Sequence, residues 1–168
     1  MSKIVIVNEN NEVIGSKERL EVRSSDIYRT TGLWITNSKG QVLLAQRSFK
    51  KSHDPGRWGP AVSGTVEEGE SYDENIKKEA WEELGIEGLE FEKGPIKYTQ
   101  GNHNRFSQWY FLKLDRNLAD FTVQYEEVER IKWFDKNELI QDIKDKPDNF
   151  LQSMPERVKM FLTELRSK

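Results

Sequence analysis

The chain has no cysteine. That excludes disulfides, thiolate metal sites and a cysteine nucleophile, and it suits a reducing compartment. No apolar run approaches the ~20 residues that a spanning helix needs, so no contact with a membrane is expected. The N-terminal apolar stretch is too short for a secretory signal. Charge of one sign is not in excess: 26 Lys and Arg stand against 29 Asp and Glu, for a formal net charge of -3. Without a global basic field, nucleic acid is not an expected partner. The two histidines, His53 and His103, are too far apart to read as a metal pair, and both are expected on polar loops. Internal repeats and low-complexity linkers are also missing. The expectation is a cytoplasmic protein with one domain over residues 1–168, long enough for a real core.

What is present is a mixed pattern. Strands are expected over 4–7 and 13–15, around the turn-forming Asn-Glu-Asn-Asn, and over 28–36 and 41–47, around the hairpin signal at 37–40. A polar loop with Pro-Gly at 55–56 follows, then one short strand over 58–63. Further strands are expected over 96–100, 106–114 and 128–134, with a short helix capped at 135–138. Pro155 suits a first helical turn, and Val158, Phe161, Leu162 and Leu165 make the last helix amphipathic.

Ser71-x-x-Glu74 reads as a capping box, so a helix should start at Tyr72, and Gly85 is placed to end it. Tyr72, Ile76, Ala80 and Leu84 fall four apart and form one apolar stripe. Glu79, Glu82 and Glu83 form a ridge beside it. Stacking like charges at this spacing costs about 0.2–0.5 kcal/mol per pair. Alone, the ridge reads more readily as a solvated acidic face that Lys77 and Lys78 neutralise. A cation would explain it otherwise, and oxygen donors suit Mg²⁺ or Mn²⁺.

The whole segment over 64–86 decides between these. It sets Gly64, Glu70, Lys78-Glu79, Glu82-Glu83 and Gly85-Ile86 in order. That order resembles the Nudix box, G-x(5)-E-x(7)-R-E-U-x-E-E-x-G-U, where U is a bulky aliphatic residue. Two positions depart from it: Lys78 stands where the family has Arg, and Ala80 is small for the first U. The resemblance implies an α/β fold, an α/β/α sandwich with a central mixed β-sheet, that uses a divalent metal to hydrolyse a diphosphate. It further implies that Glu79, Glu82 and Glu83 hold one to three Mg²⁺ ions, while Gly64, Glu70, Lys78 and Gly85 support the box. In the family, Glu70 pairs with the Arg that is Lys78 here. Lysine supplies the charge without a bidentate fork.

The segment before the box narrows the resemblance. Gln46, Arg47, Ser48, Lys51, Pro55, Gly56 and Trp58 are similar to the isopentenyl-diphosphate isomerase-like branch of the family, as are Glu127, Val128 and Trp133. True isomerases of that branch carry a catalytic Cys where Ser63 stands and a metal-binding His where Thr65 stands. Their His-Arg pair is Tyr28-Arg29 here, and their further catalytic glutamates have no counterpart in 105–111. A serine hydroxyl does not replace a thiol in acid–base work near neutral pH. The expectation is therefore an isomerase-like scaffold with hydrolase chemistry. A module that only senses a diphosphate is the alternative from another class, with isomerase activity a third.

The base would be a box glutamate, with Glu79 favoured, or Glu127 outside the box, beside Glu126 and Glu129. Glu127 reads equally as a solvated edge-strand residue. Arg47, Lys51 and Arg57 are candidates for the distal phosphate. Arg47 has both strand placement and resemblance behind it, whereas Lys51 and Arg57 also read as exposed loop charges. Trp34 and Trp109 are expected in the core, Trp58 and Trp133 in the core or a pocket wall. Trp81 lies off the apolar stripe. The expected partner is a small-molecule diphosphate, either a nucleoside diphosphate derivative or a small organic diphosphate. A homodimer stays open.

Overall fold

The computed structural model describes residues 2–166, with side chains as far as residue 162. It is an α/β fold with a central mixed β-sheet and, among the described residues, three α-helices. The chain divides into two compact units.

The first unit comprises Met1–Trp34 and Val62–Leu112. It opens with strands β1 (Ile4–Val7) and β2 (Val13–Lys17), an antiparallel pair. All four residues of β1 are buried, as a strand covered on both faces requires. The turn between them is closed by the Asn8 side chain, whose Oδ1 accepts from the amides of Asn10 and Glu12. Strand β3 (Ile27–Thr36) pairs antiparallel with β1 and with β6 (Val62–Thr65). Strands β7 (Glu92–Thr99) and β8 (Asn104–Lys113) form an antiparallel pair, and β8 also pairs with β3. Helix α1 (Tyr72–Leu84) packs on β6 and buries Ile76, Ala80 and Leu84.

The second unit comprises Ile35–Ala61 and Lys113–Lys168. Strand β4 (Val42–Arg47) lies at its centre and pairs antiparallel with β5 (Trp58–Pro60), with β9 (Val128–Phe134) and with the end of β3. Val42, Leu43 and Leu44 are fully buried in consecutive positions. Trp58 meets Phe134 edge-on at 5.2 Å, and Phe134 meets Phe150 at 6.4 Å. Helices α2 (Lys136–Asp145) and α3 (Met154–Arg166) bury Leu139, Ile143, Met154, Val158, Phe161 and Leu162. The Leu165 side chain, expected on the same stripe, lies outside the described residues.

Three expectations are corrected. The single strand over 58–63 is two strands, β5 and β6, separated at Ala61. Pro60, which has no amide hydrogen, is the last residue to pair with β4, and after Ala61 the chain pairs with β3 instead. Strand β7 begins at Glu92 rather than at residue 96, with an irregularity between Lys93 and Ile96 around Gly94-Pro95. Asp135 does precede α2, but its side chain makes no cap hydrogen bond. Its carboxylate accepts from Gln41 Nε2 at 3.1 Å instead.

Candidate active site

Both ends of α1 are fixed by local chemistry. Ser71 Oγ accepts from the Glu74 amide at 3.1 Å, and Glu74 Oε2 accepts from the Ser71 amide at 2.8 Å. Gly85 ends the helix in the left-handed region, φ 68°, and donates to the carbonyls of Ala80 and Trp81. Between these caps, Glu82 differs in exposure from the other two box glutamates of the helix. Glu79 is 18 % exposed, Glu83 is half-buried and Glu82 faces solvent.

Glu79 sits over Gly64 of β6. A Cβ at position 64 would stand 2.9 Å from the Glu79 carboxyl carbon and 2.8 Å from Asn75 Oδ1. Only a glycine admits that approach. Burial is the main force that pushes the Glu79 carboxyl up to about 7; Lys78 opposes it, and Glu82, Glu70 and Glu67 add to it. This is a carboxylate held partly out of water among others of its own sign, an electrostatic setting that a divalent cation would relieve. Among the described residues, no group of three His, Cys, Asp or Glu side chains forms a ready metal cage. Mg²⁺ does not need one, because it binds through one or two carboxylates and completes its octahedron with water and substrate phosphate. The donor set fits such an ion.

Glu70 and Lys78 pair with each other beside α1. Lys78 Nζ donates to Glu70 Oε1, and to Glu67 Oε2 at 3.1 Å. Burial works against the Lys78 charge, yet these hydrogen bonds and the two carboxylate charges hold its ammonium above the ordinary lysine value. Glu70 Oε2 accepts from the Glu67 amide and from Asn75 Nδ2, each at 2.9 Å.

Asn75 was not legible as a site residue. It is fully buried on α1, where its Nδ2 also donates to the Thr65 carbonyl at 3.0 Å and its Oδ1 accepts from Thr31 Oγ1 at 2.6 Å. A lone amide between Glu74 and Ile76 looks like ordinary helix surface. The only available signal is its place four residues before Glu79, on the same face.

The remaining candidates belong to the second unit, and each has a partner there. Arg47, at the end of β4, donates through Nε to the His53 carbonyl at 3.1 Å. Arg57 Nη1 lies 3.4 Å from Asp54. Lys51 and Glu127 are joined to each other at 2.5 Å. Glu127 is not on an edge strand: it lies in the turn before β9, and its carbonyl accepts from the Ser48 amide. Two side chains expected in separate roles therefore form one pair. Trp34, Trp58 and Trp109 are buried, Trp133 is half-buried and Trp81 is exposed. His53 and His103 are on exposed loops, and the His103 ring meets Tyr28 edge-on at 6.4 Å.

Comparison with known proteins gives a consistent result. Residues 27–154 match the family model described as the NUDIX domain. The chain is 31% identical over 135 residues to the Nudix hydrolase YfcD of Salmonella typhi, covering 80% of this chain and 72% of that protein. It is 28% identical over 159 residues to a Nudix hydrolase of Yersinia pestis, covering 94% and 84%. The crystal structure of DR0079 from Deinococcus radiodurans superimposes with a TM-score of 0.80 at 25% identity, covering 94% of this chain and 98% of that one. A family model that spans most of the chain and the intact carboxylates of α1 lead to one assignment: the chain belongs to the Nudix family and is a hydrolase of diphosphate-containing compounds.

Proposed function

We propose that the protein is a Mg²⁺-dependent hydrolase that cleaves the diphosphate bond of a nucleoside diphosphate derivative or a small organic diphosphate. The observation that carries this reading is Glu79, half-desolvated against Gly64 on a helix that also carries Glu82 and Glu83. These three glutamates would hold the metal, which supplies charge neutralisation of the phosphates and activation of water. Mn²⁺ is the natural substitute. Water attacks one phosphorus in line, the bridging P–O bond breaks and the leaving phosphate departs with the bond electrons.

The side chains supply positioning and a proton acceptor. Glu79 is the favoured base among the box glutamates, held partly out of water against Gly64. Glu127 is the base candidate outside the box, and its engagement by Lys51 means that it would first have to be released. Arg47, Lys51 and Arg57 are the candidates for the distal phosphate, with Arg best suited to a bidentate grip.

Several wider readings go with this one. Residues 1–168 are taken as a single Nudix domain, supported by a family match that runs through both units. The matches at Gln46, Arg47, Ser48, Lys51, Pro55, Gly56 and Trp58 favour the isopentenyl-diphosphate isomerase-like branch, while Ser63 and Thr65 favour hydrolysis over isomerisation. Cytoplasmic location is consistent with the lack of cysteine, and no helix among the described residues is long and apolar enough to cross a membrane.

The test is turnover of a panel of nucleotide, sugar, cofactor and prenyl diphosphates with Mg²⁺, with products read by mass. Cleavage at the diphosphate that vanishes in the Glu82→Gln, Glu83→Gln protein is expected. Isomerised product without phosphate release, or ligand binding without turnover that survives the double substitution, would replace this reading.

A further inference from the structure

We infer that Asn75 and Lys78 together supply Glu70 with the two hydrogen bonds that one arginine fork gives in the family pattern, which makes Asn75 a positioning residue for Glu79. This rests on the reading of the α1 glutamates as the working carboxylates. An ammonium is a point donor and cannot span both oxygens of a carboxylate as a guanidinium does. Here Lys78 Nζ takes Oε1 of Glu70, and Asn75 Nδ2 is the side-chain donor to Oε2 at 2.9 Å, beside the Glu67 amide at 2.9 Å. The two donors lie three residues apart on α1, on neighbouring positions of one face.

The setting selects an asparagine through three partners, of which Glu70 is the one in the box. The amide is completely buried in mid-helix, where it costs free energy unless every polar atom is bonded. All are: one Nδ2 hydrogen goes to Glu70 and the other to the Thr65 carbonyl, while Oδ1 accepts from Thr31. The reverse orientation would set Oδ1 against a carboxylate and a carbonyl, so the partners fix which way the amide points. Asn75 thus ties α1 to β3 through Thr31, to β6 through Thr65 and to the loop before the helix through Glu70. Asn75 Oδ1 and the Glu79 carboxyl carbon flank the same point above Gly64, at 2.8 and 2.9 Å from the position of a Cβ. Loosening this amide would let Glu79 move off the site.

The test is a cycle of the wild-type chain, Asn75→Ala, Lys78→Arg and the double variant. Each is measured for kcat and KM with Mg²⁺ and for thermal unfolding without metal. Loss of the Glu70 support alone should lower kcat by about 10–100-fold and change KM less than about threefold, as expected for an interaction that orients the reacting group. Added to Asn75→Ala, Lys78→Arg should recover about tenfold in kcat, because its fork reaches both Glu70 oxygens. It should also raise the metal-free Tm by more than it does when Asn75 is intact. A purely structural role of Asn75, gluing Thr31 and Thr65 to the helix, gains nothing from arginine at 78. Equal effects of Lys78→Arg with and without Asn75→Ala, on kcat and on Tm, would overturn the inference. If the alanine chain fails to fold, Asn75→Ser carries the same cycle. If no diphosphate is turned over by any chain, the functional reading falls, while the metal-free cycle still decides whether the two donors share Glu70.

Discussion

Gly64 and Glu79 are in contact across β6 and α1, so close that a Cβ at position 64 would collide with the Glu79 side chain. The glycine that opens the box is thus a steric requirement of the glutamate that closes over it. Gly64→Ala should push Glu79 and Asn75 aside, with an overpacking cost of about 1–3 kcal/mol. Activity should fall further than stability accounts for. Thermal unfolding and kcat, measured on the same preparation at a temperature where the variant is folded, separate the two effects.

The raised Glu79 carboxyl has a pH signature in the metal-free protein. Its folded value of about 7 lies above the ordinary 4.5, so the folded state binds the proton more tightly. The sign follows: the stability linked to this proton is fully present below about 4.5 and is lost as pH rises through about 7. Glu79→Gln, which cannot titrate, should remove that part of the pH dependence of Tm. Saturating Mg²⁺ should flatten the same window in the wild-type chain. Identical profiles for the two metal-free proteins would show that Glu79 is not the group responsible.

Lys51 and Glu127 should behave as a unit. The pair is partly exposed, so it contributes only about 0.2–1 kcal/mol to stability. Its effect should appear in substrate binding instead. Lys51→Met and Glu127→Gln should each raise KM, and the double variant should raise it by no more than the larger single effect. A fall in kcat confined to Glu127→Gln would assign Glu127 to proton transfer.

Gly85→Ala tests the end of the working helix. The position holds φ 68°, where a side chain costs about 1–2 kcal/mol. Chemical denaturation should report that loss. Glu82 and Glu83 lie in the last turn before the cap, so metal affinity should weaken in the same variant; calorimetric titration with Mg²⁺ measures it.

What depends on neighbours in the chain is legible from the residues alone. Helix α1, its Ser71–Glu74 box and its Gly85 terminus were readable because each partner lies within a few residues of the other. The hairpin around Asn37 and Gly40 was readable for the same reason, as was the order of carboxylates that places the protein in its family. The rest depends on contacts between segments distant in the chain. Thr31 and Asn75, or Lys51 and Glu127, are far apart in the chain, and no local pattern announces that they meet. The break at Ala61 follows from an exchange of hydrogen-bonding partners, β4 for β3, that strand propensity does not encode. Asp135 has the composition of a helix cap, but Gln41, brought near by the pairing of β4 with β9, takes its carboxylate. Local chemistry selects the elements, while the desolvation that raises Glu79 and the satisfaction of a buried amide at Asn75 arise only when separate segments exclude water together.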